Sequence, residues 1–349
     1  MVLLDCLSHI FNTATVHFEM RILSFTKYLV EQQKMERYGN CSEEIGMKGD
    51  RDIEIISETS PNMCGGTDAY RDKKAPKTIE SDEMVLFDVT CSFSMLALPE
   101  NVEGEIIRYI SAYAAPSKKG SFVVLETRKD NWSPNERSWA LLEKDIFPDL
   151  VELVKECDLC RNNGVHSTTH GLPENFGGNA LIKYASGETI SFSNNQFPII
   201  AFDAGQKIAK LFREAMQGKR VTLPDVSELK EIVFYEDRKD KGFTEARLSF
   251  NPDGTGTNRK RSKYENTGIF ESEKPIDADT MAIIRRKIES CGILAWEGLP
   301  VHEYPWVEDA RMTFVLENGE SVTVEKSTEV PSSISGAFFN IELEMTTKH

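Results

Sequence analysis

No stretch of this 349-residue chain stays apolar for anything near the roughly 20 residues that a membrane-spanning helix requires. The segment Met1–Val30 is apolar, but Asp5, His9, His17, Glu19, Arg21 and Lys27 interrupt it. It has no basic n-region followed by an apolar h-region and a small-residue cleavage site, so no export signal is readable. Cys6, after Val2-Leu3-Leu4-Asp5, lacks the leader and small residues of a lipid-attachment site. An amphipathic helix packed on the body, or an inaccurately assigned start, accounts for this segment, and the default expectation is cytoplasmic. Positive charge is also short: 41 Lys and Arg face 56 Asp and Glu, for a net charge of -15. That balance lacks the basic footprint of a nucleic-acid binder and serves solubility. Seven cysteines, an odd number at scattered spacings, do not make a disulfide scaffold. His-Glu-x-x-His, Gly-x-Ser-x-Gly and the phosphate-binding Gly-x4-Gly-Lys are all missing, which leans the reading away from an enzyme.

What the chain does contain is a pattern written twice. Asp145–Leu159 and Asp279–Ile293, offset by 134, match Phe147 with Met281, Leu150 with Ile284, Val154 with Ile288 and Cys157 with Cys291. Those positions form the apolar stripe of an amphipathic helix, and each leading Asp sits where an N-cap is expected. At an offset of 132, Ala180–Phe192 aligns with Met312–Val324. Both read as hairpins, turning at Ala185-Ser186-Gly187-Glu188 and at Glu317-Asn318-Gly319-Glu320, with the same face apolar in each. Gly-Leu-Pro stands between helix and hairpin in both copies, at Gly171 and at Gly298.

The expected fold class is therefore α+β, two tandem related units that each carry an antiparallel sheet, a packed helix and a β-hairpin. Residues 1–81 read as an N-terminal extension and polar linker, because Glu31–Ser81 has little apolar material to offset the entropy of ordering it. Residues 82–224 form the first unit, with strands over Met84–Met95, Glu105–Ala114 and Ser121–Arg128. Trp132–Lys144 is open between helix and strand. A helix over Asp203–Met216 closes this unit. Residues 225–349 form the second, with strands over Glu231–Asp237, Thr244–Phe250 and Tyr264–Glu273. The basic run Arg259–Lys263 reads as a solvated loop, and Ser332–Thr347 is open between helix and strand.

Two constellations carry candidate chemistry. Cys157, Cys160, His166 and His170 are residue types that zinc accepts, and four is the number for a closed tetrahedral site. Only five residues separate the pairs, and Cys160 meets Leu294 in the repeat, so a core cysteine beside a loop is the stronger reading and a metal- or cysteine-dependent enzyme the alternative. Redox use of Cys157 and Cys160 conflicts with their place at a helix C-terminus, where the dipole raises a thiol pKa. The second constellation is the connection from helix to hairpin, with Phe176 in the first copy and Trp296, His302, Glu303, Tyr304 and Trp306 in the second. Aromatics on a stiffened connection suit a contact with a protein, a peptide or a small ligand, satellite core being the competing reading.

The run Gly171-Leu172-Pro173, Phe176-Gly177, Tyr184-Ala185-Ser186-Gly187-Glu188 and Ser193-Asn194-Asn195-Gln196 resembles a pattern in uncharacterised bacterial hypothetical proteins. Many of those resemble exported lipoproteins with this unit after a polar linker. The resemblance covers about Glu80–Met216, implies no activity, and suggests an exported or surface-attached location. The missing leader is a departure from it. The sequence-level expectation is a non-catalytic binding or interaction protein.

Overall fold

The computed structural model describes residues 52–57, 66–94, 96, 105–130, 132–171, 176–239, 241–265, 267–301, 309–326 and 328–346. Chain contacts divide the protein into residues 1–54 and 55–349. Of the first unit only 52–54 are described, so the account that follows concerns the second.

The fold is α+β, with two sheets and four α-helices among the described residues. The first sheet holds β1 (Ile53–Ser57), β2 (Thr67–Asp72), β3 (Met84–Ser92), β4 (Tyr109–Ser117), β5 (Gly120–Arg128), β6 (Glu136–Leu142), β7 (Val165–Thr169), β8 (Gly178–Tyr184) and β9 (Thr189–Asn194). Its order is β1-β2-β7-β9-β8-β3-β4-β5-β6; from β2 to β6 only the short β7–β9 pair is parallel. Helix α1 (Phe147–Glu156) precedes β7, and α2 (Phe202–Met216) follows β9. The second sheet holds β10 (Leu229–Asp237), β11 (Gly242–Phe250), β12 (Gly256–Tyr264), β13 (Phe270–Ile276), β14 (Asp309–Leu316) and β15 (Ser321–Glu325), in the order β13-β12-β11-β10-β14-β15. Helix α3 (Ala278–Cys291) precedes β14, and α4 (Ser332–Thr346) follows β15.

Several sequence expectations change. From Met84 on, four strands (β3 to β6), not three, precede the first helix, as β10 to β13 precede α3, and Trp132–Lys144 contains β6. The basic run Arg259–Lys263 lies on β12, where Arg259 and Arg261 pair with Glu273 and Glu271 of β13; cross-strand ion pairs let a charged sequence sit in a strand. Tyr264–Glu273 is not one strand: Tyr264 ends β12 and Phe270 opens β13. Of the stretch open between helix and strand, Ser332–Thr346 is helical despite its alternation, because Ile334, Phe338, Ile341 and Met345 line one helix face against the core. The N-caps also move. Asp277, not Asp279, caps α3 through the Thr280 amide (2.8 Å), and α1 is capped at Ile146, with Asp145 accepting from the Phe147 amide (3.0 Å). Part of the polar segment is body rather than linker. Strand β2 pairs with β7, and the Asn163 side chain donates to the Pro76 carbonyl (2.8 Å). Backbone and side-chain hydrogen bonds replace the apolar burial that segment lacks. Residues 1–51 lie outside the described residues.

Two cores result. One face of the first sheet (Phe87, Val89, Ala112, Val123, Ile182, Phe192) packs with α1 and α2. The other face contributes Leu86, Tyr113, Ala115, Phe122, Val124 and Leu141 to the core of the second half. Polar links fasten that junction: Lys118 N–H donates to the Glu297 carbonyl (2.8 Å), and the Trp139 indole N–H donates to the Ser290 carbonyl (3.1 Å). Gly292 ends α3 at φ +64°, and a Cβ there would fall 2.6 Å from the Trp139 ring. Glycine is needed at that point both for the left-handed turn and for the close approach. Among the described residues no helix is long and apolar enough to cross a membrane.

Candidate functional site

The residues singled out from the sequence disperse. Cys157 caps α1 half-buried, and the Cys160 thiol donates to the Pro76 carbonyl (3.3 Å). His166 on β7 shares a hydrogen bond with Ser193 Oγ (3.0 Å) and stacks on Tyr70, while His170 Nε2 meets Asp68 Oδ2 (2.7 Å). Cys160, His166 and His170 each face a different neighbour, and among the described residues no group of three or more His, Cys, Asp or Glu side chains could hold a metal. Burial pushes both thiols up, away from the thiolate that nucleophilic or redox chemistry needs. On the aromatic connection, Trp296 is core: it is 1% exposed, and its indole N–H donates to the Cys291 carbonyl (3.2 Å). The helix ends in Gly292 and a short 3-10 turn, which swings that ring inward over the apolar cluster. Phe176 is half-buried. His302, Glu303, Tyr304 and Trp306 lie outside the described residues.

A different constellation is built into the first sheet. On the face that meets the second half, side chains from β3 to β6 form rows set by the strand registers. The rows at Leu86, Ala115 and Phe122 are apolar and covered. Moving along the strands, the rows turn polar: Asp88 beside Tyr113, then Thr90–Ser111–Glu126–Arg137, then Tyr109–Arg128. Within them Thr90 Oγ1 donates to Ser111 Oγ (3.0 Å), and Glu126, 4% exposed, accepts from Arg137 Nε (2.8 Å) and from the Asn135 amide. The Arg128 guanidinium lies over the Tyr109 ring (5.3 Å), its buried Nε without a partner. At the border, Lys183 of β8 holds both oxygens of Glu329 (2.9 and 3.0 Å), and the Tyr113 hydroxyl donates to the Glu329 carbonyl.

Asp88 stands apart in this patch. Among the described residues its side chain has no hydrogen-bond or ion-pair partner, whereas Glu126 and Glu329 are both satisfied. Its side chain is half-buried, so water reaches it, yet protein crowds it closely enough to desolvate the charge. Burial, aided by the Glu329 charge, pushes its carboxyl up to about 6. Burial together with the Asp88 and Glu329 charges drives the Tyr113 phenol well above its ordinary range. The second half offers a contrast. There burial works to raise Glu236, but hydrogen bonds and charge from Arg238 and Lys326 outweigh it and hold that carboxyl low. An acid that titrates near neutrality and is half-open to water can accept a proton, a hydrogen-bond donor or a positive charge.

Sequence reasoning did not single out Asp88. The available signal was one acid inside the β-forming run Val85-Leu86-Phe87-Asp88-Val89, an ionisable residue where a doubly covered strand should be apolar. No protein-family model matches the chain, and no curated protein matches it.

Proposed function

We propose that this chain is a non-catalytic binding protein built from a duplicated α+β unit, with its ligand seated on the polar half of the first sheet. The observation that carries the binding reading is Asp88, a half-buried ionisable side chain with no hydrogen-bond or ion-pair partner among the described residues. Leaving a desolvated carboxylate unpaired destabilises a fold, and such groups concentrate where a ligand completes them.

The duplication has independent support. Without β1, β2 and β7, the first sheet reads β9-β8-β3-β4-β5-β6, the same order as β15-β14-β10-β11-β12-β13, with helices at the same two places in the chain. Both sheets carry a register shift at the start of the corresponding strand, between Met84 and Leu86 and between Leu229 and Glu231. Phe147, Leu150, Val154, Ile182, Tyr184 and Phe192 are buried, as are Met281, Ile284, Ile288, Phe314, Leu316 and Val324. A second unit whose free sheet face is polar would act as the cap of a two-member array.

The test is amide chemical-shift mapping of the full chain against a fragment set of mixed charge. Hits that shift β3, β4 and β8, and that Asp88→Asn abolishes, would support the reading. Hits confined to other surfaces would remove it.

A further inference from the structure

One end of the second sheet holds a cavity that the reading of the first sheet does not use. The turn from β10 to β11 and the turn from β12 to β13 stand side by side there. They border an open cavity of about 400 Å³, lined by Arg238, Lys241, Tyr264, Glu265 and Thr267. That volume falls within the roughly 300–1,000 Å³ of small-molecule sites. Backbone hydrogen bonds fix its walls. The Glu265 N–H donates to the Lys241 carbonyl (3.0 Å) and joins the two turns, while the Thr267 N–H donates to the Tyr264 carbonyl (2.7 Å) and closes one of them. Gly242, at φ +103°, permits the close approach, since a Cβ there would fall 1.9 Å from the Lys263 carbonyl oxygen.

We propose that this cavity binds an organic oxyanion, a phosphate or carboxylate carried by a small molecule. Arg238 is aimed into place by a buried partner. Glu236, 4% exposed, accepts from its Nε and from its Nη2 (3.1 Å each), and half of the arginine side chain is exposed. The Nη1 end has no partner among the described residues. Glu236 also holds Lys326 (3.3 Å), so its charge is not spent on Arg238 alone. A guanidinium clamped along one edge has little freedom left to lose, and its open end matches the oxygens of a carboxylate or phosphate.

Lys241 supplies a second cation. It is exposed and has no ion pair among the described residues, and the same holds for Lys239 and Lys263, which stand next to lining residues in the chain. The arginines on the wet face of this sheet differ: Arg247, Arg259, Arg261 and Arg311 each hold an acid. Unmatched lysines gathered at one cavity make a local positive field in a chain of net charge -15, and such a field draws an anion. The Tyr264 ring, 50% exposed, is free to lie against the body of the ligand. Glu265 is the one acid in the lining, and it opposes an anion, so removing its charge separates an anion site from a cation site.

The experiment titrates phenyl phosphate, benzoate, benzyl alcohol and benzylamine into the full chain, with calorimetry for affinity and amide shifts for location. At least one of the two anions should shift Arg238, Lys241, Gly242, Tyr264 and Thr267, and the alcohol and amine should not. Tighter phenyl phosphate would assign the site to phosphate, and tighter benzoate to carboxylate. Arg238→Lys keeps the charge without the fork and should weaken the favoured anion about tenfold. Lys241→Gln, at an exposed side chain, should weaken it about fivefold, and Glu265→Gln should tighten it. Raising the salt concentration should weaken it on the unmodified chain, which tests the charge without a variant. Benzylamine or benzyl alcohol bound as well as the anions, anion shifts confined to other surfaces, or affinity unchanged in folded Arg238→Lys and Lys241→Gln chains would overturn the inference. The polar face of the first sheet reports on β3, β4 and β8 instead, so either site can fail without the other.

Discussion

Leu86, Tyr113, Val124 and Trp139 lie on one face of the first sheet, and the registers place Glu231, Arg247, Arg259 and Glu273 at the corresponding positions of the second. The first four residues are buried or packed against the second core. The last four face water and pair among themselves, Arg247 with Glu231 (3.5 Å) and Arg259 with Glu273 (2.8 Å). The same strand order thus supports opposite chemistry, because only one of the two faces is covered. Strand β5 has no polar face over Ser121–Leu125, whereas β10 alternates buried and half-buried residues, as a sheet with one wet side should. Asp88 falls where the second sheet has Val233, so the exchange runs both ways: an acid at the border of the covered region and an apolar residue on the wet face.

The comparison breaks most sharply if the two chemistries are exchanged. Val124→Arg places an unpaired charge in the covered face, and a loss of roughly 5 kcal/mol or more is expected in urea unfolding. A loss under about 1 kcal/mol would mean that the second half does not seal this face. Next comes Trp296→Ala, which empties a buried indole site and should cost about 3–5 kcal/mol. A near-neutral result would return that ring to the connection as a contact residue.

Asp88→Asn should act in the opposite direction. Because the folded chain holds this proton up to about pH 6 and the unfolded chain releases it near 3.8, stability contributed here is full below about 3.8 and lost as pH rises through 6. Removing the charge should therefore stabilise the protein by on the order of 2 kcal/mol at pH 7.5, and by nothing near pH 3.5. Melting temperatures at the two pH values would check this, and equal effects at both would mean that Asp88 is well solvated. The smallest effect belongs to Arg259→Val, which trades one exposed ion pair for a solvent-facing methyl pair. It should change stability by less than about 0.5 kcal/mol and promote self-association detectable by sedimentation.

The cores and both hairpins were legible in the chain because side-chain period maps directly onto face, and a one-residue slip would turn every apolar residue outward. Asn318-Gly319 marks its turn, with Gly319 at φ +85°. What period cannot reveal is whether a charged strand is paired. Arg259 and Arg261 look like loop residues until β13 supplies Glu273 and Glu271 across from them. Ser332–Thr346 alternates well enough to pass for a strand, and becomes helical because Ile334, Phe338, Ile341 and Met345 meet the sheet as one stripe. The candidate site was the least legible part. Cys157, Cys160, His166 and His170 have the residue types for a metal, but type and spacing say nothing of direction, and the last three turn to separate partners.

Sequence alone determined the α+β class, the paired helix stripes and the two hairpins, since these depend on local periodicity and turn residues. The tertiary structure decided which sheet face would be sealed. Packing the second half against Leu86, Tyr113 and Val124 removes water from one face of the first sheet, and that contact lies beyond any local pattern. The same packing makes a site of Asp88: beside Val89 in the chain it is one polar residue in a strand, and only the desolvation and nearby Glu329 carboxylate supplied by the fold bring its proton near neutrality.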